Sequence, residues 1–208
     1  MRLRLLSSVF LCLFSLFLSS AIAKDEKLPI EKLLELAESN IIEAQLKLGF
    51  LYNTGQGVQQ DYEEGAKWFR KAAEQGSAEG QNNIAAMYAA GQGVTQDYKA
   101  ALSWYRKAAE QGLPGAQYNL GNMYEKGLGV SQDDKAAVGW YRKAAERGFT
   151  DAQYNLGVMY AKGKGGPQDY KEAYAWINLV LTQGAEYARK SRDFLAESLG
   201  PAALSEAA

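Results

Sequence analysis

The chain contains no histidine, and its single cysteine is Cys12. Serine–histidine and cysteine–histidine pairs are therefore absent from its repertoire, as are imidazole metal sites. Carboxylates are plentiful, but most recur at helix starts or in pairs such as Arg70/Glu74 at i, i+4, the pattern of a solvated helix face. No isolated pair of carboxylates stands out to flank a glycosidic bond. The Gly-x-Gly pairs Gly55/Gly57, Gly91/Gly93, Gly127/Gly129 and Gly163/Gly165 follow helical stretches rather than strands and lack a following Gly-Lys-Ser/Thr, so they read as tight turns and not phosphate loops. Catalytic, cofactor-binding and metal-ligating residues are accordingly expected to be none. What remains is recognition chemistry. Tyr118, Asn119, Asn122, Tyr154, Asn155, Asn82, Asn83 and Phe50 vary within an otherwise repeated framework. Tyrosine and asparagine offer amphipathic area and adaptable hydrogen bonds at modest entropic cost.

That framework is set by four tryptophans, Trp68, Trp104, Trp140 and Trp176, spaced 36 residues apart. Tyr52, Tyr88, Tyr124 and Tyr160 keep the same period, as do Gly76, Gly112, Gly148 and Gly184. A fixed period between about 20 and 50 residues signals stacked units. Each unit reads as two helices. In the first, Ala116, Leu120, Met123 and Tyr124 form one apolar stripe of helical period, closed at Gly127. The second, such as residues 98–111, follows Asp97, whose counterparts Asp61, Asp133 and Asp169 are placed to cap. Asp61 with Glu64, and Asp169 with Glu172, have capping-box spacing. Tyr98, Ala101, Trp104, Tyr105 and Ala108 make the expected buried stripe of the second helix. Gly49, Ala85, Gly121 and Gly157 mark the middle of the first helix as a place of close approach. Gly65, Ala101, Ala137 and Ala173 do the same in the second, opposite the tryptophan.

Around the first helix, Tyr118, Asn119 and Asn122 fall mostly away from the core side, with equivalents Leu46, Lys47 and Phe50; Asn82, Asn83 and Ala86; and Tyr154, Asn155 and Val158. Tyr118 and Tyr154 are expected side by side, about 10 Å apart. They are read either as a recognition surface or as padding between helices. Residues 24–43 hold a lone second-type helix that covers the first unit, with Asn40 in place of the terminal glycine. Residues 44–187 comprise four units (44–79, 80–115, 116–151 and 152–187). Residues 188–208 form a capping helix, with Arg189, Lys190, Arg192 and Asp193 on a polar outer face, and a tail.

The first 23 residues read as a signal peptide. Arg2 and Arg4 precede an apolar run from Leu5 to Leu18, and Ala21-Ile22-Ala23 places cleavage between Ala23 and Lys24. Removal of Arg2 and Arg4 with that segment lowers the 23 basic residues to 21 against 24 acidic, a formal charge of −3. The balance argues against nucleic acid as a partner. The exported chain would carry no cysteine, no disulfide and no stable membrane span. A periplasmic location is expected first, secretion second.

The units resemble Sel-1-like repeats, relatives of the tetratricopeptide repeat. The matching residues are A-x-x-x-L-G-x-x-Y-x-x-G-x-G-V from Ala116 to Val130 and D-x-x-x-A-x-x-W-Y-R-K-A-A-E-x-G from Asp133 to Gly148. The fourth unit departs, with Gly166-Pro167 and Ile177-Asn178-Leu179-Val180-Leu181. The resemblance implies an all-α fold, a right-handed α/α superhelical solenoid whose first helices line a concave surface. It implies a non-enzymatic scaffold or adaptor, here binding a protein or peptide partner in the cell envelope, with a carbohydrate- or peptidoglycan-binding module as the alternative. Some cysteine-rich members resemble β-lactamases in activity. No serine of this chain has a lysine three residues later, and the disulfides of that subgroup are missing.

Overall fold

The computed structural model describes residues 28–207, and within them every regular element is helical. The helices are α1 (Ile30–Glu38), α2 (Ile42–Thr54), α3 (Tyr62–Glu74), α4 (Ala78–Ala90), α5 (Tyr98–Glu110), α6 (Pro114–Lys126), α7 (Asp134–Glu146), α8 (Thr150–Lys162), α9 (Tyr170–Thr182) and α10 (Arg189–Ala207), with a 3-10 turn at Glu186–Ala188. The segment read as a signal peptide, with Ala23 and Lys24, lies outside the described residues. Each helix from α2 to α9 has 13 residues, so one 36-residue period holds a first-type and a second-type helix with their two connections. The chain divides into two compact units. One runs to Ile84 and includes Gln92–Thr95; the other comprises Ala85–Gly91 and everything from Gln96 onward.

Two recurring devices fix the period. Where a second-type helix ends, a residue in the left-handed region turns the chain directly into the next first-type helix. Gly112 has φ 89° and Gly148 φ 81°, and Asn40 has φ 63° at the same register. The amides beyond bond back over the turn, Ile41 to the Leu36 carbonyl, Leu113 to Ala108 and Phe149 to Ala144, the 6→1 bond of this helix stop. A buried glutamine then staples the junction: Gln45, Gln81, Gln117 and Gln153 donate through Nε2 to the carbonyls of Ala37, Ala73, Ala109 and Ala145. The second device starts each second-type helix. Asp61 Oδ1 accepts from the amides of Glu63 and Glu64, and Asp97 and Asp169 repeat the pair. The reciprocal half of the capping box does not form. The amides of Asp61, Asp133 and Asp169 already donate to the carbonyls of Tyr52, Tyr124 and Tyr160, and the Glu64 side chain pairs with Lys67 instead.

The small residues act as the sequence indicates at one set of positions and differently at another. A β-carbon at Gly121 would lie 2.7 Å from the Tyr141 ring, at Gly49 2.6 Å from Phe69, and at Gly157 2.6 Å from Ile177. The first helix is therefore thinned where the second drives in its largest side chain. Gly65, expected opposite the tryptophan, instead faces the backbone of α2: a β-carbon there would lie 3.2 Å from the Gly49 carbonyl oxygen and 3.3 Å from the Asn53 nitrogen. The tryptophans also differ among themselves. Trp68 is buried with Leu33, Leu36, Ala37, Ala44 and Leu48, because α1 carries Leu36 where later units carry alanine. Trp104, placed in the buried stripe by its spacing, is only half-buried, as are Trp140 and Trp176. Lys107 and Lys143 lie over the Trp104 and Trp140 rings at 4.1 and 4.0 Å, as Lys71 lies over the buried Trp68 at 4.1 Å.

The second glycine of each Gly-x-Gly pair has a packing reason beyond the turn. A β-carbon at Gly129 would overlap the Tyr98 carbonyl, and one at Gly165 the Asp134 carbonyl, so this loop lies on the first turn of the preceding second-type helix. Gly129 also sits at φ 70°. In the second unit one core gathers Ala137, Tyr141, Ala144, Ala152, Leu156 and Met159, and the next gathers Ala173, Tyr174, Ile177, Val180, Ala188 and Leu195. The outer face of α10 is not uniformly polar: Phe194 is 58% exposed among its charged residues. Among the described residues no helix is long and apolar enough to cross a membrane.

Candidate functional site

The side chains that break the repeat gather on α6, α8 and the segment that follows α9. Tyr141 projects from α7 past Gly121, and its hydroxyl emerges among Asn122 and Glu125 of α6, at 2.7 Å from Asn122 Oδ1 and 2.8 Å from Glu125 Oε2. One phenolic proton serves one acceptor at a time. The consistent arrangement donates it to the carboxylate and turns the Asn122 amide so that its NH2 meets the phenolic oxygen. Lys164 Nζ closes the group at 3.2 Å from Glu125 Oε1. Burial first, then the Glu125 bond and charge, hold the Tyr141 hydroxyl far above the ordinary tyrosine range, with an Asn155 hydrogen bond pulling the other way. This hydroxyl is a neutral donor at any physiological pH.

The register shows how local this group is. Where repeat three has Asn122, Glu125 and Tyr141, the first repeat has Phe50, Asn53 and Phe69, and the fourth has Val158, Ala161 and Ile177. Beside it stands an aromatic row. The Tyr118 ring lies 5.8 Å from Tyr141 and 5.2 Å from Phe149. Tyr154 packs edge-on to Tyr187 at 5.2 Å and shares a 3.0 Å hydrogen bond with Ser191. Tyr187, 54% exposed, donates to Asp151 at 3.3 Å, and desolvation, then the Asp151 charge, raise its pKa.

Of the residues singled out from sequence, Tyr118, Asn122 and Asn155 thus come together around Tyr141, and Tyr154 is drawn toward the α10 end. Tyr118 and Tyr154 are both half-buried, Tyr118 against Tyr141 and Phe149 of its own repeat and Tyr154 against Tyr187 and Ser191 beyond α9, so both contribute to helix packing. Asn119 and Asn82 are engaged by neighbouring groups. In the first unit, Phe50 is 46% exposed on α2, and Asn82 and Asn83 are half-buried on α4. Sequence reasoning missed Glu125, Lys164 and the Tyr141 hydroxyl. Glu125 was discoverable as a carboxylate replacing Asn53, Ala89 and Ala161 at its register. Tyr141 was not, since tyrosine there is also a core choice at Tyr105. Among the described residues no group of three or more His, Cys, Asp or Glu side chains converges as for a metal. The geometry provides amide donors and acceptors, a neutral hydroxyl, one ion pair and aromatic edges, a set suited to holding a polar chain.

The family model for the Sel1 repeat matches residues 42–77, 78–113, 114–149 and 150–179, well over half of the chain. This chain belongs to the Sel1 repeat family. Its matched repeats begin two residues before the units drawn from sequence, at the residues where α2, α4, α6 and α8 start. The chain is similar to c5321, a protective antigen present in uropathogenic Escherichia coli strains that displays an SLR fold, at 36% identity and a TM-score of 0.81. The match covers 88% of this chain but 41% of that one, so this Sel1-repeat chain spans less than half of the antigen. A Sel1 repeat protein from Oxalobacter formigenes is 34% identical with a TM-score of 0.76, covering 85% of this chain and 72% of that one. Helicobacter pylori cysteine rich protein B, at 24% identity and a TM-score of 0.50 over 65% of this chain and 98% of its own, shares the fold. No curated protein sequence matches. The Sel1-repeat chain is thus of the all-α superhelical solenoid class, a fold whose members are generally non-catalytic scaffolds for protein interactions.

Proposed function

We propose that this Sel1-repeat chain is an exported, non-enzymatic scaffold of the bacterial envelope that holds an extended peptide or partner helix along the face lined by its first-type helices. The observation that carries the reading is the polar group of Asn122, Glu125, Tyr141, Asn155 and Lys164. It interrupts a framework that is otherwise repeated and that already accounts for stability. Amides and a neutral hydroxyl on a rigid helical support suit a peptide backbone, whose donors and acceptors alternate along an extended chain. Export rests on the basic, apolar and small-residue succession from Arg2 to Ala23 and is checked by finding Lys24 at the amino terminus of the mature chain. That c5321 is a protective antigen is compatible with exposure outside the cytoplasm.

The test is crosslinking capture from envelope extracts, run beside a glycan array. Asn155→Ala with Tyr187→Ala is expected to lower capture of the partner by at least ~10-fold while shifting Tm by only a few degrees, since both side chains reach the surface. Undiminished capture by the double variant sinks the proposed face. Retention on glycans in place of proteins transfers the site to carbohydrate recognition.

A further inference from the structure

At the carboxyl-terminal end of the second unit, α8, α9 and α10 border an open cavity of about 540 Å³ whose lining combines apolar Val158, Ala161, Tyr170, Ile177, Phe194 and Leu195 with polar Lys162, Lys190, Gln168 and Ser191. Its walls are set by the end of the repeat. Phe194 holds the register of Val158, 36 residues on, but Leu199 and Pro201 stand at the register of the Gly163/Gly165 pair whose second glycine lies on the first turn of α7. Phe194 instead meets the Tyr170 ring edge-on at 6.4 Å and keeps 58% of its surface exposed. The bond from Tyr154 to Ser191 aligns the amino-terminal half of α8 with the start of α10. Lys190 therefore stands at one end of the cavity and Lys162, the last residue of α8, at the other. Both lysines are exposed, and neither forms an ion pair among the described residues.

We infer that this cavity takes an apolar side chain from a polypeptide segment carrying a carboxylate on each side of it, an acidic–apolar–acidic peptide. Lys162 lies eight residues beyond Tyr154, the register position of Lys190. That is about 12 Å along the helix, or about 16 Å with the ~10 Å offset between stacked helices. An extended chain covers that span in about five residues. A fatty acid would bring one carboxylate and leave the second lysine unanswered, so charge complementarity favours a peptide. The inference rests on the scaffold reading above and names the chemistry of its partner at one end of the same face.

The probe is a fluorescein-labelled peptide of about nine residues with two glutamates, about five residues apart, flanking a Leu-Phe pair, followed by anisotropy against the full chain. Lys162→Glu and Lys190→Glu are each expected to weaken binding by at least ~10-fold at low salt. The double reversal should bind the matching peptide with lysines in place of the glutamates, a rescue that damaged folding would not produce. Replacing Leu-Phe by Ser-Ser should abolish binding. The assignment is overturned if the acidic probe binds the doubly reversed variant as well as the parent, if the basic probe gains nothing there, or if the parent ignores the acidic probe. Envelope capture that still depends on Asn155 and Tyr187 in those cases leaves the scaffold reading standing. Loss of that dependence, with probe binding intact, removes the scaffold face and keeps the cavity.

Discussion

Two glycines in the third repeat show how one residue type carries opposite consequences. Gly121 is buried in α6 with the Tyr141 ring 2.7 Å from the position of a β-carbon, whereas Gly139 in α7 is exposed with nothing within 4 Å. Gly139→Ala is therefore expected to stabilise by about 0.5–1 kcal/mol through helix propensity and unfolded-chain entropy. Gly121→Ala should destabilise by about 1–3 kcal/mol, because the ring it displaces is tethered through Asn122 and Glu125. Urea midpoints compare the two directly, and equal signs would refute the packing described. A second residue-scale expectation concerns Tyr105, whose pKa burial pushes up to about 12 from 10.0. Below pH 10 both folded and unfolded chains keep the proton. Between pH 10 and 12 the unfolded chain releases it and the folded chain does not, so stability falls by about 1.4 kcal/mol per pH unit from this group. Tyr105→Phe, which copies Phe69 at the same register, should leave stability at pH 8 nearly unchanged and flatten the loss above pH 10. An unaltered alkaline slope in urea titrations would assign the proton release elsewhere.

At the scale of the element, the helices were legible because their boundaries have local causes. Asp97 caps α5, Gly127 closes α6 at φ 67°, and Asn40 takes the left-handed turn otherwise held by glycine. What was not legible depends on groups distant in the chain. The capping box failed because the Asp61 amide is claimed by a carbonyl of the previous helix, and the half-exposure of Trp104 depends on what the neighbouring helix presents. The Tyr141 hydroxyl became part of the candidate site only through Gly121 and Glu125. The buried glutamines were hidden for a different reason: helical spacing alone does not tell a buried polar side chain bonded to a distant carbonyl from a solvated one. They yield a prediction. Gln45 Oε1 accepts from Gln75 Nε2 at 2.7 Å, while Gln153 Oε1 is buried without a partner. Gln45→Met breaks two hydrogen bonds, and Gln153→Met breaks one while relieving an unsatisfied oxygen. The first should cost about 1 kcal/mol more than the second in thermal or urea unfolding. The reverse order would mean that the Gln45–Gln75 bond contributes nothing.

For the whole molecule, the consequence of repetition is that stability is a sum of neighbour contacts and not the property of one core. The first unit centres on Leu33, Leu36, Leu48 and Trp68, and the second has its own clusters around Tyr141 and Ile177. In a stacked array each repeat is held by its neighbours, so damage at one end propagates weakly. Leu33 is 3% exposed and lies on α1, which covers the first repeat without a matching first-type helix of its own among the described residues. Leu33→Ala should remove about 2–5 kcal/mol of packing from that end. In a single cooperative domain such a loss would lower the protection of every core amide together. Here hydrogen exchange is expected to quicken by one to several orders of magnitude in α1 to α3, while the amides of α7 to α9 keep nearly their original rates. Wild-type and variant chains exchanged side by side and read by peptide mass answer the question. Uniform acceleration from α1 to α9 would show that the two units open as one body and that the nearest-neighbour description fails for this chain.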